Sequence, residues 1–252
     1  MSYLGAIRPL IASRKADGMA AVLEIGLENG YSSFSIVQNL IETQSAFGYV
    51  GIDILLKDEV SETLAGFKGL NYHEQRQGYT AVALMENPPC EKSVFLYEDN
   101  SLVWLERNAG RCKFDIIFVD GDHNYYTVAR ELELLKPYCE DHTLIVCDDY
   151  RGKYAEKDLY YSDREAYDDV RVATRINKNA RTEKQGVKTA IDEFVARDDN
   201  PFCLEEFHNT PWCILRHKDY ELLSKPAPSG LARDDTLIIQ EKSTDTFESP
   251  FI

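Results

Sequence analysis

Asp120, Asp122 and His123 stand where the apolar run "FDIIFVD" (114–120) gives out, and Asp148-Asp149 stand in a second such run, "HTLIVCDDY" (142–150). If the two runs are neighbouring strands, Asp120, Asp148 and Asp149 can converge on one point. Carboxylates that close raise one another's pKa and destabilise the fold unless a cation joins them. All-oxygen ligation suits Mg²⁺, Mn²⁺ or Ca²⁺ better than zinc. Such an ion grips a substrate hydroxyl or diol and lowers its pKa. His123, three residues past Asp120, is the natural general base, because an imidazole titrates near neutral pH. The competing structural reading makes Asp120 and Asp122 caps of a helix beginning near Tyr125, with His123 structural. One acid alone would fit that reading; the joint pattern favours a site.

A second constellation lies near the N-terminus. "LEIGLENGYSS" puts Gly26 and Gly30 at a strand-to-helix turn, where glycine lets backbone approach a ligand and the helix start offers free N–H groups. Asp53 ends the next apolar run, twenty-three residues beyond Gly30, the spacing at which a βαβ unit delivers a carboxylate to both hydroxyls of a ribose. A nicotinamide or flavin dinucleotide and S-adenosylmethionine both remain open on this pattern. The dinucleotide fingerprint G-x-G-x-x-G fails at its second glycine, where Glu28 stands. A carboxylate there repels a diphosphate, whereas a cofactor carrying a sulfonium and an ammonium tolerates it and gains from Glu24.

The elements that must position these residues are short apolar runs alternating with helical patterns. Strands are expected over 20–26, 49–55, 92–99, 114–120 and 142–150, with a hairpin over 202–207 and 212–217. Helices are expected within 3–18 (ending in a turn at Asp17-Gly18), from about Ser32, over 58–68 and 78–86, at "NSLVWLERN", and over 125–136 and 185–199. Pro88-Pro89 and Pro137 break the pattern. Alternation of this kind builds a parallel sheet with helices on both faces. Right-handed crossovers then gather the strand ends, and the polar residues on them, along one edge. Residues 151–184, dense in charge and tyrosine (Tyr154, Tyr160, Tyr161 and Tyr167, with Tyr150 just before), suit a lid or a solvated loop equally. The tail from about Lys225 reads as loosely ordered.

A chain of 252 residues with 44% hydrophobic residues is long enough for one large α/β domain. Lys and Arg number 28 against 43 Asp and Glu, a net charge of −15 that argues against nucleic acid or an anionic membrane as partner. Six cysteines without CxxC spacing read as free thiols in a reducing compartment. No apolar run is long enough to cross a bilayer and the first residues lack a signal peptide's continuous apolar stretch, so a cytoplasmic protein is expected. A homo-oligomer is left open.

"VLEIGLENGYSS", "GIDIL", "FDIIFVDGDHNYYTVARELELLKPY", "TLIVCDDY" and "GVKTAIDEF" resemble class I S-adenosylmethionine-dependent methyltransferases over roughly residues 20–217. Within them, the chain is most similar to the metal-dependent sugar and small-molecule O-methyltransferases of macrolide and aminocoumarin biosynthesis, the macrocin O-methyltransferase-like group. The resemblance implies a Rossmann-like three-layer α/β/α sandwich, with a mostly parallel seven-stranded sheet and an antiparallel C-terminal hairpin strand. It implies S-adenosylmethionine and Mg²⁺ (or Mn²⁺ or Ca²⁺) as cofactors and a small-molecule or sugar hydroxyl as acceptor. Carried over by residue, Asp120, Asp148 and Asp149 hold the metal, and His123 beside Asp120 is the base. Glu24, Gly26, Gly30 and Ser32 form the methionine end, Asp53 meets the ribose, Asn100 and Ser101 the adenine, and Asp120 also borders the cofactor. Residues 1–218 would form one domain with 151–184 as its lid or insertion, and 219–252 a tail. The chain departs from the pattern at its short N-terminal region, between Asp53 and the third strand, and over 151–184. Those segments would build the acceptor pocket, so the family's acceptors are not carried over. A hydroxylase-like relative and a non-catalytic nucleoside-binding subunit are the alternatives, and a nicotinamide dehydrogenase the weakest.

Overall fold

The computed structural model describes residues 3–12, 19–76, 89–158, 184–206 and 210–219, all within the compact unit Met1–Tyr220. The strands are β1 (Met19–Ile25), β2 (Ala46–Asp53), β3 (Asn71–Gln75), β4 (Lys92–Glu98), β5 (Ile116–Val119), β6 (Leu144–Cys147), β7 (Phe202–Glu206) and β8 (Cys213–His217). The helices among the described residues are α1 (Tyr3–Ala12), α2 (Tyr31–Thr43), α3 (Asp58–Ala65), α4 (Ser101–Asn108), α5 (Tyr125–Leu135) and α6 (Val187–Val195). A 3₁₀ turn at Lys136–Tyr138 follows α5, where Pro137 cannot continue the helix.

The strands form one sheet in the order β3-β4-β2-β1-β5-β6-β8-β7. All neighbours pair in parallel except β8, which runs against both β6 and β7. β1 and β2 are buried on both faces, as covered parallel strands must be. Alternate residues serve opposite cores: Ala21, Leu23 and Ile25 pack with Trp104, Val128, Leu132, Ile191 and Phe194 on one face. Ala20 and Val22 pack with Ile7, Ile36, Val37, Leu40, Val60 and Leu64 on the other. The helices α4, α5 and α6 therefore cover one side and α1, α2 and α3 the other, giving the three-layer sandwich.

The expected sheet is corrected in one respect: it has eight strands, not seven. The added β3 is the edge strand "NYHEQ", mostly exposed, and no apolar alternation marks it in the sequence. The reversed hairpin strand is present, inserted as β8 between β6 and β7. The helix expected over 78–86, the turn at Asp17-Gly18 and the tail from Lys225 lie outside the described residues. Among the described residues no helix is long and apolar enough to cross a membrane.

Two features matter for the site. The chain leaves β1 toward β2 on one side and returns to β5 on the other, so the crevice of this topology opens at the carboxyl ends of β1 and β5. At the opposite edge, buried Asp115 ties three strands together. Its Oδ2 accepts the Ala21 N–H at 2.6 Å, its Oδ1 lies 2.8 Å from His142 Nε2, and its carbonyl accepts the Leu144 N–H at 3.0 Å.

Candidate functional site

The glycine turn is held by backbone geometry. Gly26 has φ 87°, and a Cβ on it would stand 2.1 Å from the Asp120 carbonyl oxygen, so only glycine lets this turn lie against the end of β5. Gly30, also left-handed at φ 74°, opens α2. Asp53 clamps the turn: its Oδ2 accepts the N–H groups of Leu27 and Glu28 at 2.7 and 3.0 Å, and its Oδ1 that of Leu55 at 2.8 Å. Behind the turn, fully buried Glu24 accepts the Tyr49 hydroxyl through Oε2, and its Oε1 has no hydrogen-bond partner. Burial pushes the Glu24 carboxyl up to about 7, against the lowering pull of the nearby Ser32, Tyr49 and Ser33 hydroxyls.

At the end of β4, Asn100 and Ser101 are both engaged by the protein. Asn100 is the N-cap of α4, its Oδ1 accepting the Leu102 and Val103 N–H groups at 3.0 and 3.5 Å. The Ser101 hydroxyl donates to Glu131 Oε1 at 2.6 Å. Glu131 is fully buried, its Oε2 has no hydrogen-bond partner, and burial pushes its carboxyl up to about 8 despite the Ser101 bond. Sequence reasoning passed over this acid because "RELELL" reads as a charged helix face. The signal was its register: with Val128, Leu132 and Leu135 buried, residue 131 falls on the same stripe.

The acidic constellation sits at the ends of β5 and β6. Val119 and Cys147 are partners in the parallel register, so Asp120 and Asp148 leave the sheet side by side. The Asp120 carboxyl is raised well above its ordinary range, first by burial, then by Asp148 through charge and a hydrogen bond, then by Glu24 and Asp149. Asp148 Oδ1 is buried with no hydrogen-bond partner. Asp149 adopts φ 54°, and burial and Asp148 raise its carboxyl while His123 and the Lys153 and Tyr154 N–H groups lower it. His123 lies between two of these acids, Nε2 3.8 Å from Asp120 Oδ1 and Nδ1 3.5 Å from Asp149 Oδ2. Its ring stacks on Tyr154 with centroids 5.1 Å apart. Asp122 takes no part: its oxygens accept from Asn124 Nδ2 and, at 2.5 Å, from the Thr127 hydroxyl, which ties the start of α5. Among the described residues, no group of three or more His, Cys, Asp or Glu side chains is assembled as a metal cage. The pair Asp120–Asp148 is close, with Asp149 and His123 beside it.

The chain beyond β6 is riveted over this corner. The Tyr150 hydroxyl donates to Asp192 at 2.7 Å, and the Val187 N–H to the Tyr154 carbonyl at 3.0 Å. Asp158 Oδ1 accepts the N–H groups of Tyr125 and Gly186, each at 2.7 Å, joining the starts of α5 and α6. Residues 159–183, with Tyr160, Tyr161 and Tyr167, lie outside the described residues.

A family model described as a methyltransferase domain matches residues 23–150, which span the glycine turn through the second acidic pair. No curated protein matches the chain. Among solved structures, an O-methyltransferase from Bacillus cereus in complex with SAH is 14% identical, with TM-score 0.51, covering 86% of this chain and 82% of that one. The apo structure of CalS11, a TDP-rhamnose 3'-O-methyltransferase in calicheamicin biosynthesis, is 12% identical, with TM-score 0.50, covering 86% and 77%. MycE, from the mycinamycin biosynthetic pathway, in complex with Mg, SAH and mycinamycin VI, is 16% identical with TM-score 0.45. The match covers 83% of this chain but 47% of that one, so this chain spans about half the length of MycE.

Proposed function

The chain belongs to the methyltransferase-domain family, and from that premise we propose that it transfers a methyl group from S-adenosylmethionine to a hydroxyl of a small molecule or sugar, with a divalent cation bound by Asp120, Asp148 and Asp149. The observation that carries the proposal is the pairing of Val119 with Cys147, which brings Asp120 and Asp148 out side by side, with buried Asp148 Oδ1 lacking a hydrogen-bond partner and His123 Nε2 3.8 Å from Asp120 Oδ1. Two carboxyl groups brought together this way are costly without a cation to join them, and oxygen donors of this type suit Mg²⁺, Mn²⁺ or Ca²⁺. When bound, the cation would offset the acids' charge and lower the pKa of the acceptor hydroxyl.

The remaining chemistry belongs to the chain. His123 accepts the proton of the acceptor hydroxyl, and stacking on Tyr154 keeps the imidazole in place. Gly26 and Gly30, with Glu24 behind and Ser32 at the helix start, bind the methionine end of the cofactor. Asp53 holds the turn and keeps one Oδ1 lone pair for a ribose. Asn100 and Ser101 face the adenine. The catalytic work is then mostly alignment of the two reactants and exclusion of water. In this reading residues 1–218 are one catalytic domain with 151–184 as its lid or insertion, and 219–252 are a tail.

The test is incubation of the full chain with S-adenosylmethionine, Mg²⁺ and a panel of nucleotide sugars, polyols and catechols, read by release of S-adenosylhomocysteine. Release with one acceptor class, lost on chelation and restored by Mg²⁺, is the expected result. Undiminished turnover in excess chelator removes the cation from the reading. Absence of S-adenosylhomocysteine binding by calorimetry ends it.

A further inference from the structure

The buried acid that neither the cation nor the glycine turn uses is Glu131. A leucine would continue the apolar stripe of α5 without the cost of desolvating a carboxyl. What the acid does instead is hydrogen-bond the Ser101 hydroxyl, through Oε1 at 2.6 Å; once ionised it can only accept, and it then takes the one proton of Ser101. A serine hydroxyl has a single hydrogen, so with it committed the oxygen can offer a ligand only lone pairs. Its neighbour is committed in the opposite sense. Asn100 Oδ1 is taken by two N–H groups of α4, so the end of the amide outside the cap is the NH₂ donor. The turn at the end of β4 thus has one donor and one acceptor, each set by a contact behind it.

We infer that Glu131 is a positioning residue that sets base specificity: by holding Ser101 as an acceptor, it makes the Asn100-Ser101 turn complementary to the amino edge of adenine and hostile to a 6-oxo purine. This rests on the nucleoside reading above. Adenine offers an acceptor at N1 and a donor on its exocyclic nitrogen. Hypoxanthine reverses both, with a donor at N1 and an acceptor at O6. A turn fixed as donor and acceptor therefore loses both hydrogen bonds to hypoxanthine, and polar groups left unpaired are what make such rejection strong. A serine free to rotate its hydroxyl would adapt to either base. Glu131 removes that freedom without touching the ligand.

The experiment is calorimetric titration of the full chain at about pH 9, above the value of about 8 to which burial pushes Glu131, with S-adenosylhomocysteine and with S-inosylhomocysteine, for wild type, Glu131→Met and Ser101→Ala. Wild type is expected to prefer the adenine ligand by about tenfold or more. Glu131→Met should compress that preference to within about threefold, because the freed hydroxyl can donate to O6. A merely structural role for Glu131 would weaken both ligands alike and leave the ratio unchanged. Ser101→Ala, which keeps Glu131, should compress the ratio as well, and it carries the test if Glu131→Met does not fold. Equal binding of both ligands by wild type, or a full preference retained in either variant, overturns the inference. Binding of neither ligand by wild type instead overturns the cofactor reading itself.

Discussion

Asp115 and Asp120 bracket the same strand, "DIIFVD", and at the level of residue type they are interchangeable. In the fold they are treated in opposite ways. Asp115, 2% exposed, has a backbone N–H on one oxygen and His142 on the other. Asp120, five residues on, faces three further acids, Asp148, Glu24 and Asp149, and its carboxyl is forced well up. The first carboxylate is finished by the protein and holds strands together. The second is left short of positive charge by its own neighbours. A protein seldom leaves such a deficit unless something else is meant to fill it, which is why the sheet's carboxyl edge, rather than its other end, carries the functional proposal.

The largest effect should come from breaking the unfinished side. Asp148→Ala is expected to lower methyl transfer by about a thousandfold or more, while S-adenosylhomocysteine affinity stays within about tenfold. Because it also removes a like charge from beside Asp120, the cation-free protein should not lose stability. Breaking the finished side should do the reverse. Asp115→Ala removes the acceptor of the Ala21 N–H and the carboxylate beside His142 Nε2, and should cost about 3 kcal/mol in urea unfolding. Cofactor affinity should move less than about threefold. An Asp115 variant that is stable but blind to Mg²⁺, or an Asp148 variant that fails to fold, would invert the comparison.

How far this contrast was legible in the sequence depends on what kind of fact is asked for. Buried strands announce themselves by composition, and β1, β2 and β4 to β6 lie within or close to their expected runs. That the acids of "FVDGDH" and "CDDY" share one edge followed from the handedness of crossovers, before any side chain was placed. The edge strand β3 was not legible, because an exposed strand of polar residues has no apolar period to show. Nor were the contacts that the protein itself makes to individual polar residues. Asp53, expected at a ribose, also clamps Leu27 and Glu28, and Asn100, expected at a base, also caps α4. Such partners are backbone N–H groups brought in by the fold, which no residue pattern encodes. The burial of Glu131 could be read from its register in α5, but its partner Ser101, 30 positions away, could not.

Buried acids without cations also predict a pH dependence. Glu131, held at about 8, and Glu24, at about 7, both start from an ordinary 4.5. A raised acid keeps in the folded state a proton that the unfolded chain releases. Its stabilising contribution is complete below the ordinary pKa and is lost as pH rises through the folded one. The cation-free protein should therefore lose stability between about pH 5 and pH 8, by about 6 kcal/mol at most. Thermal melts across that range check the sign. Glu131→Gln should flatten the upper part of the fall, and a melting temperature that instead climbs toward pH 8 would show these carboxyls to be ionised and paired.

The finest division lies within "DGDH" itself. Asp120 and Asp122 are two residues apart, yet both oxygens of Asp122 are occupied, one by Asn124 and the other by the Thr127 hydroxyl. Those bonds fix the entry into α5, and through it the place of His123. Asp122→Asn should therefore cost only about 1 kcal/mol of stability, the worth of one weakened hydrogen bond near a helix start, and leave the Mg²⁺ dissociation constant unchanged. Calorimetry with Mg²⁺ alone measures this without an acceptor. A tenfold weaker Mg²⁺ affinity in that variant would move Asp122 into the cation site, and the line between finished and unfinished carboxylates would then have to be redrawn through a different residue.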